Sequence, residues 1–233
     1  KDTGDRFYDA VKAAADVDGI KRVRLGSLEP DHLTDEVLCN LAKIDKLCPQ
    51  FHISLQSGSN STLKAMNRHY TAEEYYELAM KLRNTFKNCT LTTDIMVGFP
   101  TETEKDFEEL CAFVREMKFE RLGVFAYSHE EDTYCDKYYK DDVPLKVKKR
   151  RTEKIMEIQR EISREVNDSM IGKTMRVLID RKEEDYYIGR TEYDSPEVDP
   201  EVLIHSDKLL KIGEFYDVKI TGAYDYDLTG EVL

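Results

Sequence analysis

The sequence lacks any apolar run long enough to cross a membrane, and its first twenty residues are charged throughout, without the apolar block of a signal peptide. Hydrophobic residues make up 40% and charged residues 35% of the 233 positions, a balance typical of soluble globular proteins. We therefore expect a cytoplasmic protein with no membrane partner. Its length suits one ordinary domain and a small second one.

Cysteines are few and scattered. The sequence contains neither C-x-x-C nor C-x-x-x-C-x-x-C, and the total of five is odd. We interpret them as mostly buried thiols, and no metal ligand is assigned. They are Cys39, Cys48, Cys89, Cys111 and Cys135.

Positive charge is also scarce. The net charge is −12, which argues against a protein that holds nucleic acid by phosphate neutralisation alone. Residues 174–233 carry 7 basic and 15 acidic side chains, a net charge of −8, so most of the excess lies in the last quarter. This imbalance favours a basic partner.

The segment Thr92–Thr103 contains a complete switch from strand to helix. Ile95–Val97 form a short apolar run that suits a strand buried on both faces, and Gly98 permits backbone that a side chain would obstruct. The pattern of Thr101 and Glu104 predicts a capping box. A helix with one apolar face is predicted to follow, its inward residues being Phe107, Leu110, Cys111, Val114 and Met117.

Along residues 1–143 a strand is repeatedly followed by a polar loop at its carboxyl end, here called the strand exit, and then by a helix. Such βα units form a parallel sheet with right-handed crossovers. An eight-stranded barrel takes about 250 residues, so four strands predict an α/β fold with an open, partial (β/α) barrel, or the later part of a larger one. The predicted strands are Ile20–Leu25, Phe51–Leu55, Leu91–Val97 and Arg121–Ala126.

A linking helix and a second domain follow. Pro144 begins a helix to about Asp168, and the link is assigned to residues 144–171. From Thr174 apolar residues alternate with polar ones between turns, which predicts short antiparallel strands. Residues 172–233 are therefore predicted to form a small five-stranded, OB-like β-barrel that binds RNA or protein.

Read together, the strand exits resemble those of the radical S-adenosylmethionine methylthiotransferases, and the small barrel resembles their TRAM domain. The match covers nearly the whole chain and is specific as a set. The segments that carry it are Arg24–Pro30, Leu55–Ser59, Leu63–Arg68 and Val97–Thr103.

The family resemblance implies a transferase that uses S-adenosylmethionine and two iron-sulfur clusters, one of them held on a C-x-x-x-C-x-x-C loop. That loop is absent from these residues. We therefore expect the chain to be a fragment that binds no cluster and is inactive alone.

The two halves resemble different branches of the family. Up to about residue 95 the amino-acid sequence is similar to that of the tRNA enzymes that methylthiolate threonylcarbamoyladenosine. From Arg121 onward, most clearly at Gly189–Asp199 and Gly222–Leu228, it is similar to the enzymes that methylthiolate an aspartate of small-subunit ribosomal protein twelve. That basic protein is the preferred substrate, and tRNA is the alternative.

The resemblance also implies a cofactor site at the strand exits. Small residues let backbone amides approach a ligand, Gln56 offers a donor and an acceptor, Phe99 can stack on adenine, and Arg68 can pair with a carboxylate. Ordinary turn chemistry or a solvated charge explains the same residues. The candidate S-adenosylmethionine contacts are Ser27, Glu29, Gln56, Ser57, Arg68, Gly98, Phe99 and Tyr127.

An acidic loop in the small barrel is the candidate contact for a basic substrate. Its residues are Asp194, Glu197 and Asp199. A solvated loop is the alternative. A hypothesis of another class also stands, in which the chain is a non-catalytic module that binds RNA or protein.

Overall fold

The computed structural model describes residues 6–196 and 199–233. The chain forms two compact units. The first comprises the described residues up to Leu47 together with Phe51–Gln159, and the second comprises Cys48–Gln50 with Arg160–Leu233. In the described residues no helix is both long and apolar enough to cross a membrane.

The first unit alternates strands with helices, as predicted. Its strands are β1 (Ser27–Leu28), β2 (Gln50–Ile53), β3 (Thr90–Val97) and β4 (Arg121–Ala126). Its helices are α1 (Phe7–Asp16), α2 (Asp35–Leu41), α3 (Asn60–Ala65), α4 (Ala72–Thr85), α5 (Glu104–Met117) and α6 (Tyr134–Tyr138), and α7 (Leu145–Asp168) begins here.

The four strands form one open sheet in the order β1-β2-β3-β4. Strands β1 and β2 are parallel, as are β3 and β4, and Gln56 and Ile95 form a further parallel bridge. Parallel strands end at the same edge of a sheet, so all four carboxyl ends lie together. The predicted α/β fold with a partial barrel is confirmed.

Burial alternates along the second half of β3 and at the end of β2. Phe51 and Ile53 of β2 and Ile95 of β3 are fully buried, whereas His52 and Asp94 on the opposite face are partly exposed. The predicted inward face of α5 is buried throughout. Each large apolar side chain removed from water contributes about 1.5–3 kcal/mol, so this layer is the core of the unit.

Two local predictions are wrong. Ile20–Leu25 is not a strand, because Val23 makes only an isolated bridge with Leu47 and the strand is Ser27–Leu28. The cap of α5 is Thr103, which forms its capping box with Asp106. Thr101 cannot begin the helix because its φ is +76°, far from the extended backbone of an N-cap.

The second unit is a closed five-stranded barrel in the order β5-β6-β7-β9-β8, which confirms the predicted TRAM-like barrel. Its core includes Ile179, Ile204 and Val218. The strands are β5 (Thr174–Glu183), β6 (Tyr186–Arg190), β7 (Val202–His205), β8 (Phe215–Ala223) and β9 (Leu228–Val232).

Helix α7 runs over both units, and the division between them follows Gln159. Before the division, Gln159 Nε2 donates to the carbonyl of Phe119 at 2.9 Å. After it, Asn167 Nδ2 donates to the carbonyl of Tyr226 at 2.9 Å and thereby holds the turn before β9. The helix is therefore integrated into each unit by a buried amide.

Candidate functional site

The predicted cofactor residues follow the strands at one edge of the sheet. Gln56, after β2, donates its amide to the carbonyl of Asp94 at 3.0 Å and accepts from the amide of Met96 at 2.9 Å. The amide of Tyr127, after β4, donates to the carbonyl of Val97 at 2.9 Å. Backbone pairing therefore places the exits of β2, β3 and β4 side by side.

Glu29 and Arg68 form an ion pair at this edge. Arg68 Nη1 lies 3.0 and 2.9 Å from the two carboxylate oxygens of Glu29. Both side chains are partly exposed, Arg68 at 27% and Glu29 at 46%. A guanidinium beside a carboxylate presents both charges that complement an α-amino acid group. The predicted contact of Arg68 with a ligand carboxylate stays a prediction, and in the structure the guanidinium pairs with Glu29.

Gly98 turns the chain after β3 and lies against Lys148 of α7. Its φ is +72°, and a Cβ on Gly98 would lie 2.4 Å from Lys148 Cγ. The buried Lys148 ammonium donates to the Tyr127 carbonyl at 3.1 Å and to both carboxylate oxygens of Asp141 at 2.7 Å. Glycine is needed here because the lysine passes so close. Sequence reasoning missed Lys148, since no local pattern marks it.

A buried ion pair supports the same turn. Glu102 Oε1 accepts from the Gly98 amide at 2.8 Å and from Arg151 Nη1 at 2.5 Å. Burial raises the pKa of Glu102, while the Gly98 amide and Arg151 oppose that rise. Arg151 also reaches the Glu102 carbonyl at 3.2 Å. The turn that leaves β3 is thus fixed by charge as well as by glycine.

Four of the predicted contacts are buried, namely Ser57, Gly98, Phe99 and Tyr127. Ser57 is 1% and Phe99 is 4% exposed. The Phe99 ring packs edge-to-face on Tyr127 and Tyr139, with centroid distances of 5.3 and 5.8 Å. A ligand at this edge therefore meets polar side chains first, and adenine stacking on Phe99 stays a prediction.

Strained backbone marks two of the exits. Gln56 has φ +67° and Thr101 has φ +76°, although neither residue is glycine. Left-handed backbone at such residues costs about 1–3 kcal/mol and tends to occur at functional sites. No feature of the sequence indicated this strain.

Three polar side chains, His52, Asp94 and Thr92, lie in contact on one face of the sheet. His52 Nε2 lies 3.5 Å from Asp94 Oδ2, and His52 Nδ1 is hydrogen-bonded with Thr92 Oγ1 at 3.1 Å. Gly123 leaves room for Asp94, since a Cβ there would lie 2.4 Å from Asp94 Oδ1. His52 therefore has two polar partners.

The acidic loop of the barrel is arranged differently from the prediction. Asp194 is 5% exposed and accepts from Thr191 Oγ1 at 2.5 Å, and Asp199 accepts from the Ser195 amide at 2.6 Å. Glu197 lies outside the described residues. The carboxylate of Asp194 builds the loop instead of facing solvent, because a short acidic side chain readily accepts from nearby backbone and hydroxyl donors.

Within residues 6–196 and 199–233, no three His, Cys, Asp or Glu side chains converge as a metal site. Cys48, Cys89 and Cys111 are buried, and Cys39 is exposed. An iron-sulfur cluster requires converging thiolates. The described residues therefore do not fit a cluster.

Comparison with known proteins agrees with this architecture. Residues 2–114 match the Radical SAM superfamily, and residues 171–233 match the TRAM domain. A distant structural likeness to coproporphyrinogen III oxidase (HemN) from Escherichia coli has 20% identity and a TM-score of 0.47, covering 58% of this chain and 30% of that one. That likeness is too weak to bear on function.

Curated bacterial relatives match nearly the whole chain. The proteins from Parabacteroides distasonis, Phocaeicola vulgatus and Bacteroides thetaiotaomicron are 47%, 46% and 44% identical to it. The matches cover 96%, 98% and 96% of this chain and 52%, 53% and 51% of the relatives. The chain belongs to the radical S-adenosylmethionine methylthiotransferase family.

Each of these three relatives is called ribosomal protein uS12 methylthiotransferase RimO. The chain spans about half the length of the relatives that it matches. It corresponds to a part of them that includes a radical S-adenosylmethionine domain and a TRAM domain.

Proposed function

We propose that this chain forms part of a cytoplasmic enzyme that adds a methylthio group to an aspartate of ribosomal protein uS12. The observation that carries this proposal is 44–47% identity to proteins of that name over at least 96% of the chain. Both units are included in the match, so the proposal concerns the sheet and the barrel together.

Charge supports a protein substrate over tRNA. The barrel segment 174–233 carries 15 acidic and 7 basic side chains, which disfavours phosphates and attracts a basic protein. The predicted likeness of the first half to tRNA enzymes finds no separate support, because the three relatives match both halves. The tRNA threonylcarbamoyladenosine reaction is therefore the alternative outcome of the test.

S-adenosylmethionine is the cofactor that the family implies, and with iron-sulfur clusters it supplies hydrogen abstraction and the methyl group. In this chain, Arg68 and Glu29 would hold its carboxylate and amino groups. Gln56 offers amide hydrogen bonds, and the Gly98 turn brings backbone close to the ligand. The clusters would be bound by residues other than those described.

A chimera tests the activity. This chain replaces the matching residues of the Parabacteroides distasonis relative, which supplies the rest of the enzyme. The reconstituted chimera is incubated with S-adenosylmethionine and either uS12 or tRNA, and the products are identified by mass spectrometry. We expect uS12 to gain a methylthio group and tRNA to remain unmodified.

The parent relative is the positive control, and iron content and circular dichroism verify that the chimera is assembled. Modified tRNA with unmodified uS12 would select the tRNA reaction. An assembled chimera that modifies neither substrate would indicate a non-catalytic binding module. A Glu29→Gln, Arg68→Ala chimera is expected to lose S-adenosylmethionine affinity in equilibrium dialysis, which tests the cofactor site without turnover.

A further inference from the structure

An exposed pair of aromatic rings lies on α6, in the segment that follows β4. Tyr134 and Tyr138 are 64% and 67% exposed, although large aromatic side chains are usually buried. They stand four residues apart on one helical face, and their ring centroids lie 4.3 Å apart at an interplanar angle of 32°. The two rings therefore form a compact aromatic surface open to solvent.

The segment below the rings is held firmly. Thr133 caps the helix by accepting from the Asp136 amide at 3.1 Å, and Asp136 accepts from the Asp132 amide at 3.0 Å. The other carboxylate oxygen of Asp136 lies 3.0 Å from His129 Nε2. The exposed rings are thus carried by a segment that hydrogen bonds already hold in place. The segment therefore loses little conformational entropy when the rings bind a ligand.

The same segment is tied to the strand exits. Asp141 pairs with the buried ammonium of Lys148, and Asp142 accepts from the Thr101 amide at 3.2 Å. Tyr139, next to the exposed pair, packs on Phe99. The rings are therefore carried by the segment that borders the proposed cofactor site.

The charge around the rings is negative. Residues 130–142 contain six acidic and two basic side chains, a net charge of −4. Electron-rich ring faces attract cations, and nearby carboxylates strengthen that attraction while repelling phosphate. This combination selects for a lysine or arginine side chain and against the backbone of a nucleic acid.

We propose that Tyr134 and Tyr138 form a cation-binding surface that receives a lysine or arginine side chain of the protein substrate beside the strand exits. The inference rests on the proposed function for the identity of the substrate. It adds a recognition element that sequence patterns did not select, because only the structure separates these two exposed tyrosines from Tyr139, which packs inward.

The test measures binding by this chain to fluorescently labelled uS12 and to a labelled arginine-rich peptide, using fluorescence anisotropy. The Tyr134→Ala, Tyr138→Ala variant should bind both about tenfold more weakly, since it loses the ring faces. The Tyr134→Phe, Tyr138→Phe variant keeps the rings and should stay within about twofold of wild type. Tyr224→Ala removes a tyrosine of the barrel that is 58% exposed and serves as the matched control.

A peptide with citrulline in place of arginine has nearly the same shape without the charge. It should bind wild type as weakly as arginine peptide binds the alanine variant. Equal affinity of wild type and alanine variant for uS12 would overturn the proposal, and so would an affinity that is lost in the phenylalanine variant. If the alanine variant bound only a tRNA anticodon stem more weakly, and bound uS12 as wild type does, the rings would be assigned to base stacking.

The two proposals fail separately. If the chimera methylthiolates uS12 and affinity does not depend on the rings, only the cation surface is wrong. If wild type binds arginine peptide through the rings but neither binds nor modifies uS12, only the substrate assignment is wrong. A lower melting temperature of the alanine variant at unchanged affinity would assign the rings to packing within the protein.

Discussion

Arg151 forms a buried ion pair with Glu102, with Nη1 2.5 Å from Oε1 and both side chains at most 4% exposed. Its neighbour Arg150 pairs with Glu104 at 2.7 Å, but those two side chains are 57% and 51% exposed. Two consecutive arginines of α7 thus make the same kind of contact in opposite environments, one of them beneath the Gly98 turn.

Arg151→Ala is expected to destabilise the protein by about 3–5 kcal/mol, because it leaves the Glu102 carboxylate buried without its cation. Arg150→Ala should cost less than about 1 kcal/mol, since solvent already screens its pair. Urea unfolding followed by circular dichroism measures both. Similar losses in the two variants would show that burial does not decide the strength of these pairs.

Gly98→Ala is expected to destabilise the protein by about 2–4 kcal/mol, because it combines left-handed backbone with a clash against Lys148. Gly19→Ala separates the two effects, since Gly19 has φ +85° and open space where a Cβ would lie. That control should cost only about 1 kcal/mol. Thermal unfolding compares the two variants, and equal shifts in melting temperature would contradict the clash.

Asp106 makes stability depend on pH. Burial alone would raise its pKa, but hydrogen bonds from Ser61, Thr103 and Ser59 lower it to about 2 from the usual 3.8. The charged form is therefore favoured in the folded state, and its contribution is present above pH 3.8 and lost as pH falls towards 2.

Asp106→Asn should accordingly cost about 1–2 kcal/mol at pH 7, and the difference from wild type should shrink between pH 4 and pH 2. Unfolding by urea at a series of pH values provides the measurement. Asp207→Asn, at a fully exposed carboxylate, is the control and should show little difference at any pH. A wild-type advantage that persists at pH 2 would show that the carboxylate charge is not responsible.

The cysteines should differ in reactivity. Burial raises the pKa of Cys89 to about 12, with Glu120 adding to the rise, so almost no thiolate is present at pH 8. Cys39 is exposed and should react first with a thiol reagent. Cys39→Ser should remove the fast phase, and Cys89 should react only after urea is added. Fast modification of Cys89 in the folded protein, detected by peptide mass spectrometry, would contradict its burial.

Local pattern predicted much of the fold. The apolar face of α5 and the strand-forming alternation after Thr174 both follow from residues a few positions apart. The strand predicted at Ile20–Leu25 was wrong because alternation of apolar and basic residues does not reveal whether a neighbouring strand is available. Pairing is a long-range property, and the structure forms an isolated bridge between Val23 and Leu47 there, without a strand.

The same difference between local and long-range information applies to the candidate site. The sequence by itself determined the βα order, the glycine exit at residue 98 and the negative charge of the barrel, because propensity, turn geometry and charge are properties of neighbouring residues. Only the tertiary structure decided that Lys148 lies against Gly98, that Arg151 pairs with Glu102, and that Asp194 is buried in its loop. The two cationic contacts join residues about fifty positions apart, whose proximity depends on how α7 packs, and a side chain's burial likewise depends on its surroundings.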